Sequence, residues 1–245
     1  MNTYLQILLA TFSITLCVWI ATPLLLVKKN LLKKITLFLV SFSAGSFMGG
    51  AFFHLLPEAT KNLEADKLFS IVLFSFVLFF LMEKLLHWRH CHKGDCSVHS
   101  FGYMNLVGDS IHNFIDGLII ASTFMVDPTI GIVTTFAIAF HEIPQEIGDF
   151  GVLVHAGFKK SKALLLNYLV ALTVVFGGII GVFISSRVES IVPLLLPLAA
   201  GGFIYIASSD LMPEIRNETN LKKSILSFLF FLLGISMMFT LTFLE

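Results

Sequence analysis

Charge is what this sequence has least of. Only 13% of its 245 residues are Asp, Glu, Lys or Arg, where a soluble domain carries about a quarter. The two signs cancel, 16 against 16, so net charge makes no electrostatic case for nucleic acid. Cysteine is nearly absent as well. Cys17, Cys91 and Cys96 are too few and too irregularly spaced for a disulfide framework. The first apolar stretch does not read as a leader peptide: it is too long for a secretory core, and no small-residue cleavage site follows it. We therefore read it as a retained span. What is abundant is hydrocarbon. Apolar residues make up 56% of the chain, 26 of them Phe, and the mean hydropathy is +0.89. An integral membrane protein is the class this balance allows.

Eight apolar stretches run over roughly 3–27, 35–57, 68–87, 104–125, 130–157, 162–186, 190–212 and 222–244. Each is near the ~20 residues that cross a bilayer core as a helix. Runs this long and continuous exclude barrel strands. The expectation is an all-α, polytopic membrane protein with eight transmembrane helices, a single transmembrane domain over 1–245. Thirteen of the 16 Lys and Arg fall in the odd-numbered loops and three, Lys61, Lys67 and Arg187, in the even ones. The positive-inside rule then puts the odd loops in the cytoplasm and both termini outside.

The chain echoes itself. The second span reads Ala44-Gly45-Ser46-Phe47 and ends His54-Leu55-Leu56-Pro57-Glu58; the seventh reads Ala200-Gly201-Gly202-Phe203 and ends Asp210-Leu211-Met212-Pro213-Glu214, at a constant offset. These spans cross in opposite directions. An inverted three-helix repeat, spans one to three matched to six to eight around a central pair of spans four and five, produces this pattern and is a feature of transporters. Gly45, Gly49, Gly50, Gly201 and Gly202 are read as close-packing positions.

The central pair carries what the rest lacks. Asp109, His112, Asn113 and Asp116 are spaced three, four and seven apart, one polar stripe on an apolar helix. His141, Glu142, Gln145, Glu146 and Asp149 make a broader stripe on the next. The connection is only about Val126 to Thr129, so the two helices are antiparallel neighbours. Pro144 cannot donate to the carbonyl of Phe140 and is expected to bend its helix. Polar groups are costly in hydrocarbon unless they face a bundle interior and bind something. Imidazoles with carboxylates and amides suit zinc, iron(II), manganese or cobalt; calcium and magnesium prefer oxygen alone, and copper(I) prefers sulfur. A metal-free hydrogen-bond network or proton relay is the plainer reading of the same residues.

The stretch Ser110-Ile111-His112-Asn113-Phe114-Ile115-Asp116-Gly117, followed by His141-Glu142-Ile143-Pro144-Gln145-Glu146-Ile147-Gly148-Asp149, resembles the ZIP (Zrt/Irt-like) family of zinc and iron transporters. It is most similar to the branch with the motifs HNFxDG and HExPHExGD. The resemblance implies a carrier that brings divalent metal into the cytoplasm through a two-metal site, zinc as transported substrate with iron(II) or manganese as alternatives. By position it implies His112, Asp116, His141 and Gln145 at the primary ion and Asn113 and Glu142 at the second, with Asp116 and Gln145 bridging. Glu146 stands nearby. It also implies movement of the fourth and fifth spans against a frame that includes the second and seventh, and a homodimer. The branch commonly has His where this chain has Gln145, and an amide oxygen binds zinc more weakly than imidazole.

Segment 84–103 is read as a cytoplasmic loop bearing His87, His90, Cys91, His92, Cys96 and His99, able to receive metal or simply to be solvated. His54 and Asp210 lie deep enough to line a path, whereas Glu58, Glu214 and His155 sit nearer the interfaces. No catalytic residue is assigned. An intramembrane zinc metalloprotease is one alternative function, but Gln145 replaces the second His of HExxH. A metal-sensing membrane receptor is another, though no large soluble domain accompanies the spans. Compactness is read as pointing to a prokaryotic inner membrane.

Overall fold

The computed structural model describes residues 2–90 and 99–243. Among the described residues the chain forms eight helical rods and no strand. α1 runs Thr3–Thr15, tightens into a 3-10 segment Leu16–Ala21 and ends as Pro23–Leu26. α2 runs Lys29–Gly49, loosens into a π segment Gly50–Leu55 and finishes as Leu56–Thr60. α3 is Ala65–His90, α4 Ser100–Val126, α5 Pro128–His155 and α6 Lys160–Phe183. α7 runs Ser185–Tyr205 into a π segment Ile206–Leu211 and then Met212–Arg216; α8 is Leu221–Leu241. Six rods are long and apolar enough to cross a membrane: α1, α2, α3, α6, α7 and α8. α4 and α5 have the length but carry the polar stripes.

The rods outrun the apolar stretches wherever polar residues can stay helical beyond the hydrocarbon. α2 begins at Lys29, and α3 and α4 extend into both ends of segment 84–103. Cys91, His92 and Cys96 lie outside the described residues. The α4–α5 connection shrinks to Asp127. Its Oδ1 accepts from the N–H groups of Thr129 (2.7 Å) and Ile130 (3.3 Å), and Pro128 takes the first helical position. Those two N–H groups hold the Asp127 carboxyl below its usual range. α5 continues as one helix through Pro144.

The internal echo has a structural counterpart. The two π segments sit at the same offset of 156 residues as the motifs, and Pro57 and Pro213 follow each one at equivalent places. The π segment of α2 packs on the shaft of α7, and that of α7 packs on the shaft of α2. α8 lies along α2 as α3 lies along α7. Burial pairs up in the same way. The apolar windows of α1 and α6 are 39% and 44% buried, those of α2 and α7 are 67% and 61%, and those of α3 and α8 are 17% and 22%. Phe47 and Phe203, equivalent in the two halves, meet with ring centroids 4.6 Å apart and no exposure. Gly45 faces the backbone of Phe231 on α8, and its equivalent Gly201 faces the backbone of Val72 on α3, each too closely for a Cβ.

α4 and α5 run through the middle. α4 packs most extensively on α6, and α5 lies against α2, α4 and the 3-10 segment of α1. Gly117 on α4 and Gly177 on α6 let these two backbones touch: a Cβ on either would strike the carbonyl oxygen of Val174 or Phe114. The polar faces of α4 and α5 are thereby turned away from lipid. Asp109, His112, Asn113, Asp116, His141, Glu142, Gln145, Glu146 and Asp149 are all buried.

Candidate metal centre

His112 and Asp116 stand one turn apart on α4, and His141 and Glu142 are adjacent on α5. Antiparallel packing brings the four together. One ligand atom from each lies within 4.8 Å of all the others. His112 Nε2 is 3.4 Å from Asp116 Oδ2 and 3.4 Å from Glu142 Oε1. His141 Nε2 is 3.3 Å from Asp116 Oδ2 and 3.9 Å from Glu142 Oε1. A tetrahedral zinc ion with bonds of about 2.0–2.2 Å separates its ligands by roughly 3.3–3.6 Å. Three of the four nitrogen–oxygen edges match that spacing, and the fourth is a few tenths of an ångström wide.

The four residues are at most 7% exposed. Two imidazoles and two carboxylates offer a divalent ion nitrogen and oxygen donors with compensating charge, the set that suits zinc and its neighbours. Phe203 of α7 packs on the His112 ring at 5.0 Å, and the ring of His54, from the α2 π segment, lies 5.7 Å from that of His141. His54 Nε2 is 3.0 Å from the carbonyl oxygen of Met238 on α8.

A cleft of about 290 Å³ reaches the cluster. His112, Asp116 and His141 line it together with His54, Glu58, Thr123 and Val133. A neighbouring hollow shares Glu58, Thr123 and Leu196 and reaches exposed Asn62. Both open toward the end of the bundle that carries the α2–α3 and α4–α5 connections.

The other residues singled out from the sequence stand differently. Gln145 is buried with neither Oε1 nor Nε2 hydrogen-bonded to protein. Asn113 turns its amide to Asp109, donating to Oδ1 at 2.9 Å and to the carbonyl oxygen at 3.2 Å. Glu146 accepts from Asn167 Nδ2 of α6 at 3.1 Å. Asn105 donates to Asp149 Oδ1 at 3.1 Å. Asn105 and Asn167 were missed by sequence reasoning. Asn105 extends the α4 stripe by one turn and was legible there; Asn167 is a single amide in an apolar helix with no period to mark it. Farther along, His155 Nε2 lies 2.9 Å from Glu214 Oε2, joining the last turn of α5 to the end of α7.

Comparison with known proteins adds an independent line. The family model described as ZIP zinc transporter matches residues 4–101 and 90–242. The chain is 33% identical over 218 residues to zinc transporter ZIP13 of Pongo abelii, covering 82% of this chain and 65% of that one. It is 40% identical over 139 residues to zinc transporter ZIP13 of Danio rerio, covering 56% of this chain and 40% of that protein. With zinc transporter ZIP13 of Homo sapiens the identity is 30% over 257 residues, covering 82% and 69%. The chain thus spans less than two thirds of the length of the first two of these relatives.

Proposed function

The chain belongs to the ZIP zinc transporter family, and on that premise we propose that it carries a divalent transition metal, zinc foremost, across a bilayer through the α4–α5 site. The observation that carries this reading is the convergence of His112, Asp116, His141 and Glu142 within 4.8 Å, in a buried place with nitrogen and oxygen donors. In this proposal those four residues hold the transported ion, and Gln145 lies beside them on the same helix face. By the family resemblance Asn113 and Glu142 serve a second ion, with Asp116 and Gln145 bridging and Glu146 nearby. Iron(II) and manganese are the alternative cargoes, because Gln145 weakens the bias that a third imidazole would give.

The proposed direction is into the cytoplasm. All eight rods cross, the termini lie outside, and the cleft that reaches the cluster opens on the side opposite the Lys-rich loops. The matched π segments and reciprocal packing support an inverted repeat around the site, the construction on which alternating access is built. The homodimer rests on the resemblance alone. The prokaryotic inner membrane rests on compactness, and the relatives named above are eukaryotic.

The test is uptake of radiolabelled zinc by proteoliposomes holding the purified chain. His112→Ala and Asp116→Ala each abolish uptake in this account, with the thermal transition of the detergent-solubilised protein retained. Uptake at the wild-type rate in either variant rejects the assignment.

A further inference from the structure

The two halves of the internal echo end in the same residue but in different company. Glu58 in the last segment of α2 and Glu214 in the last segment of α7 each follow the proline that comes after a π segment. Glu58 lines the cleft that reaches the imidazole cluster, and its carboxylate turns back to its own rod. Lys61 Nζ donates to its Oε2 at 2.6 Å, with both side chains half exposed or more. At the Lys-rich end Glu214 Oε2 reaches across to α5 instead, where His155 Nε2 lies 2.9 Å away. One carboxylate is tied to its own rod at the open end, and its equivalent is tied to the central pair at the other.

The Lys-rich ends of α4 and α5 are joined to each other. The N–H of His99 donates to the carbonyl oxygen of Ala156 at 2.8 Å, and the Phe101 ring is 5.6 Å from that of His99 and 6.1 Å from that of His155. A second hydrogen bond leaves this joined end: Ser100 Oγ donates to Glu83 Oε1 of α3 at 3.2 Å, and Glu83 also accepts from the Tyr205 hydroxyl of α7. His155 and Glu214 line a hollow of about 880 Å³ with Leu32 and Leu37 of α2 and Phe158. Among the described residues its lining includes none of the four cluster residues. Between the hollow and the cluster α5 lies flat on α2, with Gly148 against Ser43 and Gly151 against Leu39, each too close for a Cβ. Ser43 is buried there.

We infer that the His155–Glu214 pair is an inner latch, which holds the end of α5 on α7, keeps α5 sealed on α2, and so keeps the cluster open toward the opposite side. The inference rests on reading the α4–α5 pair as the moving part of a carrier. Equivalent carboxylates in an inverted repeat exchange roles when the two halves exchange conformations. Release toward the odd-loop side then requires His155 and Glu214 to part. Neither belongs to the cluster, so both act by position: they set which face of the site is open, not what the site binds.

The test uses the full chain in detergent without metal, so it does not depend on transport. Cys17, Cys91 and Cys96 are replaced by Ser, and one cysteine is introduced, either Ser43→Cys beneath α5 or Thr123→Cys in the cleft. The rate of reaction with a water-soluble maleimide reads which face is open. His155→Ala and Glu214→Ala should each speed labelling of Ser43→Cys by about five-fold, the effect of losing one partly exposed hydrogen-bonded pair. Labelling of Thr123→Cys should be no faster than before. The double variant should label Ser43→Cys no faster than either single one, because each change removes the same contact. Faster labelling at both positions means a general loosening, and this overturns the latch. Unchanged labelling of Ser43→Cys, or rates that multiply in the double variant, also overturns it. The cluster is intact in all of these chains, so zinc uptake by His112→Ala bears on the carrier reading alone.

Discussion

His141 Nε2 lies 3.3 Å from Asp116 Oδ2, across the α4–α5 interface and 25 residues away along the chain. The contact joins the two stripes at mid-helix, where both residues are buried. Leaving a carboxylate buried without a partner costs several kcal/mol, so the pair is tolerated because the surrounding groups act together. His112 and Glu142 complete a four-residue cage in which every imidazole faces both carboxylates.

Metal binding in this cage depends on pH through its imidazoles. His112 and His141 coordinate only when neutral, and binding releases any proton they carry. Zinc affinity is therefore highest where both imidazoles are neutral and falls as acid protonates them. Isothermal titration between pH 5 and 8 checks this. An affinity that stays flat over that range contradicts ligation by imidazole.

Gln145 is the residue through which selectivity can be moved. It is buried, and its side chain makes no hydrogen bond to protein. Gln145→His places a third imidazole on the α5 face that bears His141 and Glu142. Zinc should gain on manganese by about ten-fold, the ratio that ~1.4 kcal/mol supplies. Competition uptake with zinc, manganese and iron(II) reads the ranking. An unchanged order removes Gln145 from the ligand set.

Much of this was legible in the sequence because both signals are periodic. Apolar runs near bilayer length gave eight rods with ends displaced by a few residues, and the three-and-four spacing gave the two stripes. The displaced ends have a plain cause: the helices start at polar residues, Lys29 and Ser100, which hydropathy does not register. The α4–α5 connection was read as several residues, but Asp127 and Pro128 form a cap that needs only one. The π segments were not legible, because an extra residue per turn leaves no compositional mark. The echo was visible in the motifs, whereas the tilted contact of Phe47 with Phe203 has no mark in the sequence. Within the site, Asn113 and Glu146 hydrogen-bond to Asp109 and Asn167, partners that their places in the motifs did not mark.

The α4–α6 seam fixes α4 in place. Gly117 meets Val174 and Gly178 with no room for a methyl group, whereas the nearest atom to a Cβ on Gly50 is 3.6 Å away. Gly117→Ala should destabilise the fold by about 1–3 kcal/mol, the usual cost of overpacking. Gly50→Ala should lie within ~0.5 kcal/mol of the wild type. Thermal unfolding in detergent compares the two. Equal transitions would mean that the seam is looser than it stands here.

The central claim is that α4 and α5 share one transition-metal ion between His112, Asp116, His141 and Glu142. X-ray absorption at the zinc edge, on the full chain with one bound zinc, tests it most directly. The account expects four nitrogen and oxygen neighbours at about 2.0–2.1 Å, with the outer-shell scattering of two imidazoles. A shell without imidazole scattering, or six oxygens at hydrated-ion distances, contradicts it.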